Sequence, residues 1–518
     1  MKRRKQPERC KRNIGNGAVR KKEKIQPEKG RVDRMEQPLF QKLKEYNKTM
    51  LPMHMPGHKR NLALSGTDGY LAALCADCDI TEIAGFDNLA EPEELLLSLK
   101  ERAAKLWKSE EAYPLVNGST GGILAAIYAT VSGGGTVIMA RNCHKSVYNG
   151  IRIVNAKAVY LQPEQDKETG ACGEITPEAV ECALQNNKDA KLVIITSPTY
   201  EGVVSDVEGI CKAAHSYGVP VLVDSAHGAH FGFGGFPRGA VECGADLVVH
   251  SLHKTLPCLT QTAMLHRSGD LVAKEAVQRA VNLFQTSSPS YLLLASIEGC
   301  IGLWEERGVT LCAEWKEALD EFYKGGRLLQ HIRVVGAEQT NKTENSIRTM
   351  GTEVYDRDPG KLVFLTGRSN LTGPQLMEKL RTEYRIELEM AAEQYGLAMT
   401  GAGDTKSSLA RLLQALLDID AQCEQGASGG IRYPELPPVR MRVAEAEQAF
   451  AREYQWEETV GRIAGEYVWA YPPGIPLLVP GEEINSDLIR FLQQKEANGV
   501  RIHRTSGGNG NVIYCLQE

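Results

Sequence analysis

The chain has 518 residues, of which 42% are hydrophobic and 24% are charged, and its formal net charge is −5. At the usual ~150 residues per domain, this length predicts about three domains. No apolar run approaches the ~20 residues of a membrane span, and the N-terminus lacks the apolar core of a signal peptide. Thirteen cysteines scattered along the chain indicate reduced thiols rather than a disulfide framework. We therefore expect a globular cytoplasmic protein with no membrane partner.

Positive charge is concentrated at the N-terminus. Residues 1–34 contain 14 Lys/Arg and four Asp/Glu, a net charge of +10, so residues 35–518 carry −15. This segment has no apolar period, which predicts a disordered basic extension. It is interpreted either as a nucleic-acid-binding tail or as translated sequence ahead of a start at Met35. Because the second interpretation is at least as good, a nucleic-acid partner is not favoured.

Apolar strands alternate with amphipathic helices between residues 92 and 330, after an N-terminal linker segment at 35–91 that begins with a short helix. This alternation predicts a doubly wound, mostly parallel α/β sheet. Such sheets bind ligands beyond the carboxyl ends of their strands. The predicted strands are 136–140, 158–161, 192–196, 219–224, 247–250 and 262–265.

The pattern changes after residue 330. Two apolar runs, 363–366 and 386–390, are predicted to be strands between helices, which indicates a small α+β domain at 331–425. A polar stretch near 424–438, rich in Gly and Pro, is typical of a linker. It marks the boundary between this small domain and a predicted C-terminal domain at 426–518.

An acid and a lysine follow two strands in the order that pyridoxal phosphate (PLP) chemistry requires. Asp224 ends the predicted strand 219–224, and Lys254 follows the strand 247–250. In PLP enzymes a lysine forms a Schiff base with the cofactor aldehyde, and an acid pairs with the pyridinium nitrogen. Either residue alone is unremarkable at a strand end, but their order and context favour a PLP site.

Further polar residues fit such a site. Residues 117–122, Asn-Gly-Ser-Thr-Gly-Gly, precede a helical run at 123–131, and free N–H groups at a helix start bind anions. The segment lacks the Gly-Lys-[Ser/Thr] ending of a Walker loop, and ordinary helix capping is an equal alternative. His144 follows a strand end, where an imidazole can stack on a planar ring, although a surface-loop histidine is the simpler interpretation.

The loops that carry Asp224 and Lys254 contain other groups of interest. His227 shares the loop of Asp224, whose carboxylate would keep a pyridinium nitrogen protonated because opposite charges favour both ionised forms. Ser251 and His253 flank Lys254 and are candidates for binding a phosphate. Such a lysine must be desolvated or lie near positive charge to act as a neutral amine.

Taken together, these segments resemble the Orn/Lys/Arg decarboxylase family, PLP-dependent decarboxylases of basic amino acids with the aspartate-aminotransferase fold (fold type I). The matching segments occur in the family's order from about residue 37 to 485. They are 52–59, 79–89, 117–121, 144–146, 197–202, 224–228, 251–257, 284–291 and 471–482. The resemblance implies a PLP-binding large domain at 92–330 with a mostly parallel seven-stranded sheet, and smaller α+β domains after it.

The resemblance also implies a role for each site residue. Those that would bind the cofactor phosphate are Ser119, Thr120, Ser251 and His253. Those that would surround the pyridine ring are His144, stacked on it, His227, beside it, and Asp224, paired with its nitrogen. Lys254 would be the Schiff-base lysine. Thr286 and Ser287 would reach the phosphate of a neighbouring subunit, so that a homodimer, or a higher homo-oligomer, shares its sites.

The implied reaction converts arginine, lysine or ornithine to agmatine, cadaverine or putrescine with release of CO2. Only about sixty residues precede the large domain, so the chain resembles the short branch of the family that lacks a wing domain and serves polyamine synthesis. This favours arginine over lysine, and lysine over ornithine. Glu482 is the first candidate to receive the cationic end of the substrate, with a solvated loop acid as an equal alternative.

Other functions stay open at this stage. An aminotransferase or another PLP-dependent lyase on the same fold is the alternative among enzymes. A PLP-binding regulator is disfavoured because Lys254, His253 and Asp224 are all present. Cys75 and Cys78 form a Cys-x-x-Cys pair, but no second pair at metal spacing accompanies them, so we expect no metal.

Overall fold

The computed structural model describes most of the chain from residue 38 onward. The described ranges are 38–66, 69–165, 171–337, 347–349, 352–426, 434–470, 475–497, 500–507 and 511–517. The predicted basic extension at 1–34 lies outside these ranges, as do parts of the predicted linker at 424–438 and of the segment 471–482. Helix α1 (Pro38–Thr49), the short helix α2 (Tyr70–Ala73) and helix α3 (Leu95–Trp107) precede the large sheet.

Strands and helices then alternate, as predicted. In chain order the elements are β1 (Glu111–Leu115), α4 (Gly118–Val131), β2 (Thr136–Ala140), α5 (Lys145–Ile153), β3 (Lys157–Leu161), α6 (Pro177–Asn186), β4 (Ala190–Thr196), β5 (Val203–Val204), α7 (Val207–His215), β6 (Val221–Asp224), β7 (Leu247–Ser251), α8 (Leu252–Thr255), β8 (Ala263–Arg267) and α9 (Lys274–Phe284). All six strands predicted in this region are present.

Seven of these strands form one sheet in the order β1-β8-β7-β6-β4-β2-β3. Pairing is parallel from β7 to β3, whereas β8 runs antiparallel to both of its neighbours. The predicted mostly parallel seven-stranded sheet is confirmed. The individual strand predictions lacked β1, whose sequence contains Pro114; a proline is tolerated there because β1 is an edge strand.

Helix α4 packs closely on the sheet because a glycine faces it. A Cβ atom on Gly122 would lie 2.6 Å from Leu115 Cδ1 and 3.2 Å from Val249 Cγ1. The absence of a side chain lets the helix approach β1 and β7, whose residues 112–115 and 247–251 are all buried. This contact fixes the N-terminal end of α4 beside the carboxyl end of β7.

A 36-residue helix, α10 (Tyr291–Gly326), leads to the second half of the chain. The following elements are β9 (Arg333–Val334), β10 (Ile347–Thr349), β11 (Thr352–Val354), β12 (Asp356–Arg357), β13 (Lys361–Leu365), α11 (Gly373–Tyr384), β14 (Met390–Ala392), β15 (Tyr395–Met399) and α12 (Lys406–Asp420). Four of the strands form an antiparallel sheet in the order β14-β15-β13-β9.

The strand predicted at 386–390 is wrong in its bounds, because the strand begins at Met390. Arg385 caps the C-terminus of α11 in the left-handed conformation, and the backbone N–H of Ile386 donates to Leu380 O at 3.0 Å. The backbone at residues 385–386 is therefore committed to the helix end, and strand pairing starts further along the chain. As a result, Glu389 lies in the exposed connection before β14 rather than within a strand.

A short pairing joins the two halves of the chain. Strand β12 pairs antiparallel with β5, and Asp358 N donates to Gly202 O at 2.8 Å. Gly202 has φ +93°, and a Cβ there would lie 2.8 Å from Lys361 Cβ. This close approach places the first residue of β13 against the loop that follows β4.

The last elements are α13 (Val443–Gln448), β16 (Ala451–Gln455), β17 (Val468–Ala470), β18 (Pro476–Leu478), α14 (Ser486–Ala497), β19 (Ile502–Arg504) and β20 (Val512–Leu516). They make a two-stranded pair, β16-β20, and a three-stranded sheet, β18-β17-β19, around a small apolar core. No helix in the described ranges is long and apolar enough to cross a lipid bilayer.

Candidate active site

Four neighbouring strands, β7, β6, β4 and β2, bring the marked side chains to one edge of the large sheet. Strand β7 leads directly into α8, the single turn that carries Lys254. Strand β6 ends at Asp224, and His144 caps the helix that follows β2. Because these strands are parallel and adjacent, their carboxyl ends lie side by side. Asp224, His144 and Lys254 therefore lie at the same edge of the sheet.

Lys254 is at the centre of the group. Its Nζ lies 3.0 Å from Nε2 of His227, which is itself 5% exposed. Burial lowers the pKa of the Lys254 amine, while the carboxylates of Asp224 and Glu389 oppose that change. Burial of the lysine thus favours the neutral amine, whereas the two acids favour the ammonium form.

Asp224 and His144 are oriented by local hydrogen bonds. Asp224 is 5% exposed, and its Oδ1 accepts from the backbone N of Ala226 at 3.2 Å. The His144 Nδ1 accepts from the backbone N of Ser146 at 3.2 Å and lies 2.8 Å from its hydroxyl. Burial lowers the pKa of His144, and Asp224 opposes this. Its ring is therefore a neutral imidazole with a fixed orientation.

The start of α4 and the α8 turn are both anchored to residues 261–262. Gly118, with φ +72°, opens α4, and its N donates to Gln261 O at 3.0 Å. Ser119 and Thr120 occupy the first turn, where backbone N–H groups have no intrahelical partner. Ser251 is fully buried, and its hydroxyl has no hydrogen-bond partner among the described residues. His253 is anchored through Nδ1 to Thr262 O at 2.9 Å.

A second lysine, Lys361, reaches the same histidine from the other half of the chain. Its Nζ lies 2.9 Å from Nδ1 of His227, and it is 1% exposed. Burial lowers its pKa to about 8, an effect that Asp358 opposes and Lys254 adds to. The sequence reasoning missed it, although a lysine opening the fully buried strand Lys361–Leu365 is an available signal, because lysines are almost never fully buried without a function or a partner.

The sequence reasoning also missed Glu389 and Tyr200. The Tyr200 hydroxyl donates to Glu389 Oε1, and its ring meets the His227 ring edge-on at 4.9 Å. Glu389 is exposed and close enough to raise the pKa of both Lys254 and Lys361. It is therefore an accessible carboxylate beside the lysine pair.

Glu482 requires a correction. Its carboxylate is 1% exposed and binds Arg141 through two hydrogen bonds, Nη1–Oε1 at 2.7 Å and Nη2–Oε2 at 3.1 Å. Oε2 also accepts from Val479 N at 2.8 Å. Both oxygens are occupied within the chain, so Glu482 is neither a solvated loop acid nor free to meet a substrate. It joins the C-terminal elements to the loop after β2.

Thr286 and Ser287 lie at the surface in the loop between α9 and α10. Just before them, Gln285 Oε1 accepts from Val116 N at 2.9 Å, and Phe284 O accepts from Asn117 Nδ2 at 2.9 Å. The loop thus begins beside the N-terminus of α4. The contact of Thr286 and Ser287 with a neighbouring subunit stays a prediction.

Comparison with known proteins shows the family of the chain. Residues 37–366 match the family described as Orn/Lys/Arg decarboxylase, major domain, and residues 431–502 match its C-terminal domain. The arginine decarboxylases of Bacillus anthracis and Bacillus subtilis are each 30% identical, over 94% and 93% of this chain and 99% and 98% of theirs. Lysine decarboxylase LdcA of Pseudomonas aeruginosa is 24% identical over 93% of this chain and 80% of its own.

Solved structures show the same fold. Francisella novicida lysine decarboxylase LdcF gives a TM-score of 0.77 at 20% identity, covering 93% of this chain and 81% of that one. Escherichia coli constitutive lysine decarboxylase gives 0.75 at 21% identity, with 94% and 82% covered. The architecture is therefore the α/β fold of the aspartate-aminotransferase type, fold type I. Within that class, the chain belongs to the Orn/Lys/Arg decarboxylase family.

Proposed function

We propose that this protein is a PLP-dependent decarboxylase that converts a basic L-amino acid to the corresponding amine and CO2. The observation that carries the proposal is the grouping of Lys254, Asp224, His144 and His227 at one sheet edge, with the accessible carboxylate of Glu389 beside them. A lysine, an acid and a ring-stacking imidazole suit the cofactor. The additional carboxylate suits a cationic substrate.

The side chains at this edge fit PLP on physical grounds. The Ser251 hydroxyl, buried and without a partner among the described residues, and the N–H groups in the first turn of α4 that lack intrahelical partners are suited to bind a phosphate. Ser119, Thr120 and His253 supply further donors there. Asp224 is a buried acid of the kind that pairs with a pyridinium nitrogen, and Lys254 supplies the amine that binds the aldehyde.

Each residue then has a defined task. Bound PLP supplies the electron sink that takes up the electron pair left behind when CO2 departs. Asp224 would hold a proton on the ring nitrogen, because its negative charge favours the protonated form. His144 would lie against the ring and help to orient it. Lys254 would supply the amine that holds the cofactor.

We assign recognition of the substrate's cationic end to Glu389 rather than Glu482. Glu389 is exposed, lies beside Lys254 and is oriented by the Tyr200 hydroxyl, whereas Glu482 is committed to Arg141. Among basic amino acids we propose arginine ahead of lysine, and lysine ahead of ornithine. The naming of the 30%-identical Bacillus relatives as arginine decarboxylases supports arginine. We further propose that the amine product serves polyamine synthesis.

We further propose a homodimer with shared sites, in which Thr286 and Ser287 reach the cofactor phosphate of the partner. Their support is their exposure and the anchoring of the preceding residue to Val116, next to the α4 N-terminus. Exposed hydroxyls there are placed to add donors to a neighbouring site.

The test is release of labelled CO2 from carboxyl-labelled arginine, lysine and ornithine, with the amine product identified by chromatography. The proposal expects CO2 and amine in equal amounts from at least one of the three, and loss of both in Lys254→Ala. Keto-acid release without CO2 would identify an aminotransferase instead. Cleavage of the substrate into products other than CO2 and the corresponding amine would identify another PLP-dependent lyase.

A further inference from the structure

The His227 imidazole lies between two lysine amines, one at each ring nitrogen. Nε2 is 3.0 Å from Lys254 Nζ, and Nδ1 is 2.9 Å from Lys361 Nζ. The two lysines come from different halves of the chain, since Lys254 follows β7 and Lys361 opens β13. The bond from Asp358 N to Gly202 O keeps β13 in place, so the contact is built into the fold.

Counting protons limits the charge that this trio can hold. A neutral imidazole has one N–H donor and one acceptor nitrogen, and an ammonium group can only donate. Both contacts are satisfied when one lysine is an ammonium, the imidazole is neutral and the other lysine is a neutral amine. They are also satisfied by an imidazolium between two neutral amines, or by three neutral groups. The arrangements that satisfy both contacts therefore carry at most one net positive charge. Two ammonium groups would set one N–H against another across a buried 3 Å contact.

The surroundings of Lys361 and His227 agree with this count. Burial lowers the pKa of His227 well below its usual value, and the two lysines, His144 and His230 lower it further. His230 Nε2 lies 3.3 Å from Asp358 Oδ1, and that buried carboxylate is the acid that faces Lys361. The imidazole therefore stays neutral, and a positive charge on Lys361 has a counterion on its far side.

The groups that face Lys254 come from three other elements. Asp224 lies at the end of β6, and Glu389 precedes β14; both favour the ammonium form of Lys254. His144, at the start of α5, feels the charge of Lys254 in turn.

We propose that Lys361 is a positioning residue that acts through His227 to make the neutral amine of Lys254 available at a lower pH than Lys254 would reach alone. A lysine must be neutral to act as a nucleophile, and a nearby cationic group is an established way to obtain that state. That the Lys254 amine reacts with a cofactor aldehyde rests on the proposed function, whereas the coupling of the two lysines does not.

The test measures the Lys254 amine directly. Cofactor-free, full-length protein is labelled with trace acetic anhydride over a range of pH, and mass spectrometry follows Lys254 against Lys105, an exposed lysine on α3. The pH midpoint of Lys254 labelling should lie well below the ~10.4 of an ordinary lysine. A wild-type midpoint near that ordinary value overturns the proposal without any variant.

Two substitutions then separate charge from shape. Lys361→Met keeps the length of the side chain and removes the amine, so the Lys254 midpoint should rise by about one pH unit, the usual effect of removing a nearby like charge. Lys361→Arg keeps the charge and cannot become a neutral acceptor, so the midpoint should stay at or below that of wild type. Lys157→Met, at the exposed start of β3, is the matched control and should change nothing.

An unchanged midpoint in Lys361→Met, or an equal rise in Lys361→Arg, overturns the coupling. Circular dichroism and a thermal melt confirm that the variants fold. If Lys361→Met does not fold, His227→Phe gives the same information, because it removes the connecting imidazole and should raise the midpoint in the same way; no rise there overturns the proposal. Labelling needs neither PLP nor substrate, so this result is independent of whether CO2 is released.

Discussion

At the scale of single residues, the site depends on ionisable side chains that are buried. Asp224 is 5% exposed and lies close enough to Lys254 to raise the pKa of its amine. A carboxylate there costs solvation, and a bound pyridinium would offset that cost by pairing with it. A cation bound next to Asp224 would therefore offset the free-energy cost of burying its carboxylate.

Asp224→Asn is expected to bind PLP and to lose turnover by roughly 10²–10³-fold, the size typical of one preorganised charge-stabilising group. A neutral amide keeps the shape but cannot hold the ring nitrogen protonated. The measurement is kcat for CO2 release, alongside the visible absorbance of bound cofactor. Turnover within a few fold of wild type, with the cofactor bound, would show that the carboxylate has another task.

Glu389 and Glu482 offer a matched pair of substitutions. Glu389→Gln should raise KM for the basic substrate about ten- to a hundredfold, because a hydrogen bond to a charged group contributes ~1.5–3 kcal/mol. Thermal stability should change little, since the side chain is exposed. An equal loss for norleucine, which lacks the cationic end, would point to a structural role.

Glu482→Gln should behave in the opposite way. It leaves the Arg141 charge buried without its partner, which typically costs about 3–5 kcal/mol of stability. The midpoint of denaturant unfolding should therefore fall, while KM of the folded protein stays near that of wild type. A large rise in KM at unchanged stability would restore Glu482 as the substrate-binding acid.

At the scale of elements, the sequence predicts the strands of the large sheet because both faces of a parallel sheet are buried, and buried strands are short apolar runs. The same reasoning missed β1, which contains a proline, and placed the strand before β15 too early. It also passed over Lys361, because an apolar run was sought and the charged first residue of β13 was left out.

The partners of Lys361 and Glu482 were beyond the reach of sequence reasoning for a physical reason. His227 is 134 positions from Lys361, and Arg141 is 341 positions from Glu482. Motif and periodicity describe neighbours along the chain, whereas these pairs exist only after the halves of the chain pack. The residues within the motifs, such as Asp224 and Lys254, were placed correctly because each follows its own strand.

The contact of α4 with the sheet gives a prediction at this scale. Gly122→Val adds bulk where a Cβ already lies 2.6 Å from Leu115 Cδ1, and such overpacking costs typically about 1–3 kcal/mol. The helix start must shift away from Ser251, so PLP affinity should fall several fold along with stability. Gly403→Val, at an exposed position with open space around it, is the control. Unaltered PLP affinity in Gly122→Val would separate α4 from the phosphate site.

At the scale of the whole molecule, the site combines residues from both halves of the chain. The large sheet supplies Asp224, His227 and Lys254, and the segment around β13 and β14 supplies Lys361 and Glu389. In the proposed function, the first half of the chain would hold the cofactor. The second half would supply the carboxylate for the substrate's cationic end and the lysine that affects the protonation of Lys254.

The proposed shared site leads to a prediction about assembly. A Lys254→Ala chain and a chain altered to Ala at both Thr286 and Ser287 should each be nearly inactive alone, because each lacks one part of every site. Mixed and allowed to exchange subunits, they should form heterodimers with one intact site, since the intact Lys254 and the intact Thr286 and Ser287 then meet in the same site. Activity should recover to about a quarter of wild type at equal mixing, when half of the dimers are mixed and each has one working site of two.

Sedimentation measured in parallel should give a dimer as the smallest active species. Full specific activity in a monomeric fraction, or no recovery after proven exchange, would show that each chain completes its own site.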